Sequence, residues 1–247
     1  MAYPCVFCGQ LKASKEHVYP KWLRSLQAPY DGVISVVETP QGNQVRPTQV
    51  PFDITVNTVC RDCNTGWMHD LEEATRPLLT RMIRGQLCEL TLTDQHLLAQ
   101  WVYKTVLMIH EQSRAASLVP PEHFKSLFKA RVPPAGTAIW LATQTAPVVG
   151  PVSSVVFSTI DHHQIEDGQI PGGLDGTTFY SAGLAIGAFC ALLFANVSSP
   201  IQSPLPSAEA NSYVVSLWPS TGPQSWPPPS TDGVGGFIAF YERIFGA

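Results

Sequence analysis

Residues 60–73 read CRDCNTGWMHDLEE, and residues 5–8 read CVFC. These two Cys-x-x-Cys knuckles, Cys5/Cys8 and Cys60/Cys63, bracket the first third of the chain. Four thiolates at this spacing suit one tetrahedral Zn²⁺ with no open position, a structural site. Such an ion does no chemistry itself. It fixes the segment carrying Glu16-His17 against the segment opened by Asn64. A carboxylate, an imidazole and an amide placed in that way can bind a hard cation and activate a water.

The blocks CVFCG, SKEHVYPKWL and VCRDCNTGWMHDLEE together resemble the HNH nucleases, the ββα-metal endonucleases, and within them the zinc-stapled branch. The resemblance rests on Cys5, Cys8, Glu16, His17, Cys60, Cys63 and Asn64 and covers residues 1–85, about a third of the chain. It implies that His17 is the general base, taking a proton from the water that attacks the scissile phosphate. A neutral imidazole suits that task near pH 7. It implies further that Glu16 and Asn64 hold a catalytic Mg²⁺ or Mn²⁺, that DNA is the substrate, and that the products carry 5′-phosphate and 3′-hydroxyl ends. Restriction, defence or phage DNA processing is the context expected from the family alone.

The chain departs from the family in three ways. Glu16 stands where many members carry Asp. The helix after Asn64 offers His69, Glu72 and Glu73 where many members carry a further histidine. His69 and Glu73 are i,i+4 neighbours, and Glu73 is the better-spaced third ligand. The stretch between His17 and Cys60 is long, which requires an insertion in the two-stranded ribbon.

Each residue also has a plainer role open to it. Asn64 can act as a helix N-cap as well as a ligand, Glu16 can be a solvated acid, and His17 can simply pack. Lys15, Lys21, Arg24 and Arg61 flank the motif as candidate phosphate contacts, or are surface charges. Trp22 supports the core or stacks on a base. Asp161-His162-His163 is a second acid-histidine cluster that could supply ligands from the C-terminal half, although such a cluster is more often a turn between strands.

Charged residues are 14% of the 247-residue chain and its net charge is −4, so it is not a basic nucleic-acid binder as a whole. The balance is uneven: nine basic against eight acidic residues up to residue 85, six against eleven after it. The asymmetry suits a nucleic-acid site in the N-terminal third, though a balance of about +1 is far from a basic stripe. Cys88 and Cys190, in apolar surroundings, read as buried and reduced. With no signal peptide before Cys5, the cysteine pattern reads as cytoplasmic metal binding, not as disulfides. The uncharged run 181–197 is short for a membrane span and contains Gly183 and Gly187, so a buried hairpin suits it better and no membrane partner is expected.

The expected fold class is α+β, in three parts: residues 1–90 a zinc-bound ββα-metal (HNH) module, 91–135 bridging helices, and 136–247 an antiparallel β-rich region. Trp67, Leu71, Ala74, Leu78 and Met82 predict one helical face, with a kink or break at Pro77 and a stop at Gly85. A central buried helix is expected from Asp94 to Ala115 with Thr93 as N-cap, a short one over 121–130 and a last one over 237–245. Five strands are expected between residues 137 and 219. Two rivals to the nuclease remain: a zinc-scaffolded module that binds nucleic acid or protein with little or no cleavage, and an assembly protein forming homo-oligomers through its apolar C-terminal region.

Overall fold

The computed structural model describes residues 4–11, 13–26, 33–39, 42–48, 52–113, 119–144, 152–159, 178–197, 214–228 and 230–231. The cluster at 161–163 and the helix expected over 237–245 lie outside the described residues.

The chain is mixed helix and antiparallel sheet. After the first knuckle, β1 (Ala13–His17) leads to a 3-10 turn over Lys21–Leu26. The insertion then forms its own hairpin from β2 (Val33–Thr39) and β3 (Gly42–Thr48). β4 (Thr55–Cys60) returns antiparallel to β1 and runs directly into α1 (Arg61–Cys63), a wide π-helical turn over Asn64–Met68, and α2 (His69–Ile83). The order is therefore strand, strand, helix, with the long insertion placed between the two strands.

The helix departs from its expected pattern at two points. It runs unbroken through Pro77, which sits on its exposed side, and leaves helical geometry instead at Gly66 (φ −99, ψ −115). The wide turn adds a residue to the cycle and puts Trp67 out of phase with the later turns of the helix. Leu71, Thr75, Leu79, Met82 and Ile83 are buried, whereas Ala74 is exposed and Leu78 half-buried. Gly85 does end the helix. At φ +68 it donates to Met82 O (2.9 Å), and Gln86 N–H reaches Arg81 O (2.9 Å), a Schellman cap.

β5 (Cys88–Leu90) precedes α3 (Leu92–Ser113). Its cap is Thr91, not Thr93. Thr91 Oγ1 accepts from Asp94 N–H (3.2 Å) while Asp94 Oδ2 accepts from Thr91 N–H (2.9 Å), a reciprocal capping box. The helix is central as expected, with residues 98–108 all buried. α4 (Pro121–Ala130) comes next.

The remaining strands are β6 (Thr137–Gln144), β7 (Val152–Thr159), β8 (Thr178–Ile186), β9 (Phe189–Asn196), β10 (Val215–Trp218), β11 (Gln224–Trp226) and β12 (Ser230–Thr231). Five of them form an antiparallel sheet in the order β10-β6-β9-β8-β7, and β12 adds a short parallel edge on β6. β11 leaves this sheet to pair with β5. The apolar run 181–197 is the β8–β9 hairpin, buried along all of β9. Among the described residues no helix is long and apolar enough to cross a membrane.

The β8–β9 turn docks on the end of α2. Gly187 has φ +58, and a Cβ there would lie 2.5 Å from Ile83 O. Ala188 N–H donates to that same carbonyl (2.9 Å). Buried apolar side chains form one packed set from Cys5 in the first knuckle to Trp226 in β11.

Candidate functional site

The four knuckle cysteines converge. One sulfur from each of Cys5, Cys8, Cys60 and Cys63 lies within 4.8 Å of every other. Four sulfurs about a tetrahedral zinc stand roughly 3.8 Å apart, so the set can hold such an ion with small adjustment. Local backbone builds both knuckles. Cys5 N–H donates to Gln10 O and Gly9 N–H to Cys5 O (both 2.9 Å), with Gly9 at φ +79 closing the turn. Cys63 N–H points at Cys60 Sγ (3.4 Å). Val6 N–H donates to Thr58 O (3.0 Å), tying the first knuckle to β4. All four cysteines are free thiols, as are the buried Cys88 and Cys190. Burial pushes the Cys63 thiol up, so a nearby cation is what would keep it ionised.

Next to this cluster a cleft of about 450 Å³ is lined by Lys15, Glu16, His17, Pro20, Lys21, Trp22, Asn64, His69, Glu72, Glu73 and Arg76. β1 supplies Glu16 and His17. The register slips beside them: Ser14 faces Val59 but Glu16 faces Val56, so β4 inserts an extra residue there. Such bulges re-aim side chains and are frequent beside active sites.

Glu16 is only 5% exposed. Burial pushes its carboxyl up to about 7, with Lys104 opposing the shift and Glu72 adding to it. His17 is held below its ordinary value, first by burial and then by Lys21 and Arg24, against the pull of Asp53. It is therefore neutral at pH 7. Its Nε2 lies 3.4 Å from Asp53 Oδ1, and the same oxygen accepts from Arg24. Asn64 Nδ2 donates to Lys15 O (3.2 Å) and Ser14 Oγ (3.3 Å), which ties the wide turn to β1 and leaves Oδ1 as its remaining polar atom.

Two acids on α2 differ in setting. Glu73 is half exposed and pairs with Arg76 (3.5 Å). Glu72 is more enclosed, and its Oε1 accepts from Lys104 Nζ (2.7 Å), a lysine with 0% exposure in α3. A lysine buried to that degree stands where its charge has a partner.

The structure thus brings Glu16, His17, Asn64, Glu73, Lys15 and Lys21 into one cleft, with His69 and Trp22 on its wall. Arg24 sits behind His17 through Asp53. Arg61 is exposed at the start of α1, outside the lining residues. Sequence reasoning passed over Asp53, Lys104 and Arg76 and gave Glu72 no role. Lys104 carried a signal, as the one charged residue within LLAQWVYKTVLMIH. Asp53 carried none.

Comparison of the chain with models of known families, with curated proteins and with solved structures finds no match in any of the three.

Proposed function

We propose that this protein is a metal-dependent endonuclease of the HNH type, hydrolysing phosphodiester bonds in DNA. The observation that carries the proposal is the convergence of Glu16, His17, Asn64, Glu72 and Glu73 on one cleft, with Lys15, Lys21 and Arg76 at its walls. Oxygen donors suit a hard cation and the basic groups suit a phosphate. The strand-strand-helix order around the cysteine cluster supports the same assignment.

His17 takes the proton from the attacking water. With Nε2–H directed at Asp53 Oδ1, Nδ1 is the lone pair available for that proton. Asp53, anchored by Arg24, holds the ring in place and favours the imidazolium that forms. Glu16, with Asn64 Oδ1 and an acid of α2, would hold Mg²⁺ or Mn²⁺. A bound divalent ion supplies charge stabilisation at the leaving 3′-oxygen. Lys15, Lys21 and Arg76 position the phosphate, and the cysteine cluster, holding Zn²⁺, would keep β1 and α1 in register.

The test is cleavage of supercoiled plasmid by purified protein with Mg²⁺, Mn²⁺ or EDTA, beside His17→Ala. Metal-dependent nicking that disappears in His17→Ala is the expected result. A zinc-loaded chain that cleaves nothing with any ion is instead a zinc-scaffolded binding module.

A further inference from the structure

Residues 98–108 of α3 are all buried, and Lys104 is the one charged side chain among them. Its ammonium, fully enclosed, donates to Glu72 Oε1 at 2.7 Å. An ammonium withdrawn from water to this degree is costly and needs an opposite charge beside it. The carboxylate that supplies it stands on α2, 32 residues earlier, and lines the cleft together with Glu16, His17 and Asn64. α3 contributes no residue of its own to that lining and reaches the cleft through this contact.

Glu72 and Glu73 are neighbours on α2 and differ in what holds them. Glu73 is 49% exposed, and Arg76, its partner at 3.5 Å, is equally exposed on the same helix. A surface pair of that kind contributes little and leaves the side chain free to turn. Glu72 is 17% exposed, and its partner is fixed in the core. With Oε1 engaged by Lys104, Oε2 is the oxygen left for the cleft. A carboxylate ordered beforehand loses little further rotamer freedom when an ion arrives. Glu16, buried in the same lining, is ordered in the same way.

We propose that Lys104 is a positioning residue of the cleft: it holds Glu72, not Glu73, as the α2 carboxylate that meets a divalent cation beside Glu16 and Asn64. The proposal rests on the nuclease reading for the cation and adds which acid meets it and what aims that acid. Without Lys104, water at the mouth of the cleft draws Glu72 outward, away from Glu16. The ammonium also repels a second cation, so the two effects have opposite signs. Removing a lysine that only balanced charge would tighten cation binding. Removing one that aims Glu72 loosens it.

The experiment measures Mn²⁺ binding to the full-length protein, purified with zinc and without DNA. Isothermal titration calorimetry and the electron paramagnetic resonance signal of free Mn²⁺ both report it. Wild type is compared with Lys104→Met, Glu72→Gln, Glu73→Gln and the double variant Lys104→Met/Glu72→Gln. Lys104→Met and Glu72→Gln are each expected to raise the Mn²⁺ dissociation constant about 10- to 100-fold, the range for lost partners of metal ligands. Glu73→Gln raises it less. The double variant removes both charges, so stability returns while Mn²⁺ affinity does not. Three results would each overturn the proposal alone: tighter or unchanged binding in Lys104→Met, an equal or larger loss in Glu73→Gln, or affinity that returns with stability in the double variant. If Lys104→Met does not fold, the double variant and the Glu72–Glu73 comparison decide the outcome. A wild-type chain that binds no Mn²⁺ overturns the cation site of the nuclease reading, and the proposal with it.

Discussion

Lys104 Nζ, fully buried in α3, lies 2.7 Å from Glu72 Oε1 on α2, and Glu72 shares its cleft with Glu16. The central helix thus delivers a cation to the back of the candidate site. Removing either partner leaves the other unpaired, at a cost of about 3–5 kcal/mol for a buried pair. The two losses are unequal, because Glu72 borders the cleft and can turn toward water, whereas Lys104 has none to turn to. Glu72→Gln is expected to lower unfolding free energy more than Lys104→Met, and the double variant to recover most of the loss. Urea denaturation of the three variants measures this directly.

The Asp53–His17 contact makes a separate prediction about rate. If His17 is the base proposed above, His17→Ala is expected to lower cleavage about 10²- to 10⁴-fold. Asp53→Asn keeps the shape but no longer favours Nε2–H, so the ring loses its fixed tautomer. Its loss is smaller, about tenfold to a hundredfold on the same scale, with substrate binding little changed. Plasmid-nicking kinetics at saturating Mn²⁺ separate the two.

Metal removal is expected to act on the fold and not only on activity. The cluster ties Cys5 and Cys8 to the end of β4 and the start of α1. Stripping the ion, or Cys63→Ser, should lower Tm by roughly 10 °C, given several kcal/mol lost in a chain of this size. Thermal scans with and without a zinc chelator measure the shift, and an unmoved Tm would remove the structural role.

A third polar group sets a pH dependence of stability. His123 Nδ1 lies 2.9 Å from both Tyr103 Oη and Tyr180 Oη, which are 2.5 Å apart, all three side chains buried. Burial holds His123 below its ordinary value of 6.5. A neutral Nδ1 accepts a hydroxyl proton, and protonation removes that acceptor. The folded state therefore binds fewer protons than the unfolded one. The contribution is complete above pH 6.5, declines as pH falls below it, and is gone below the folded value. Between pH 7 and 5 the His123 contribution should drop while that of Glu16, whose carboxyl is raised to about 7, runs the other way, so the His123 part is read as the difference in slope between wild type and His123→Gln.

The parts of this structure legible in the sequence are those with local causes. The strands at 137–144, 152–159 and 189–196 arise from short β-branched and apolar runs cut by glycine, proline and serine, and Gly85 marks its helix end by backbone freedom alone. Cys5, Cys8, Cys60 and Cys63 show in their spacing. The features that stayed hidden depend on partners far along the chain or on geometry without a pattern. Thr91 and Thr93 are equally good caps until Asp94 selects one. The buried face of α2 turned because the wide turn at Asn64–Met68 has no periodic signature. Asp53 is one exposed acid among many until the chain entering β4 carries it to His17.

The carbonyl of Ile83 at the end of α2 accepts from Ala188 N–H, across a turn where only glycine fits at position 187. This bears on any attempt to graft the cleft into another protein. A fragment cut near residue 90 would carry all four cysteines, Glu16, His17 and Asn64. It would nevertheless arrive with the Ile83 carbonyl missing its donor, Glu72 without its lysine, and an apolar flank stripped of its cover. The portable unit therefore extends at least to α3 and the β8–β9 turn, and a shorter version must be redesigned at Ile83 and Glu72.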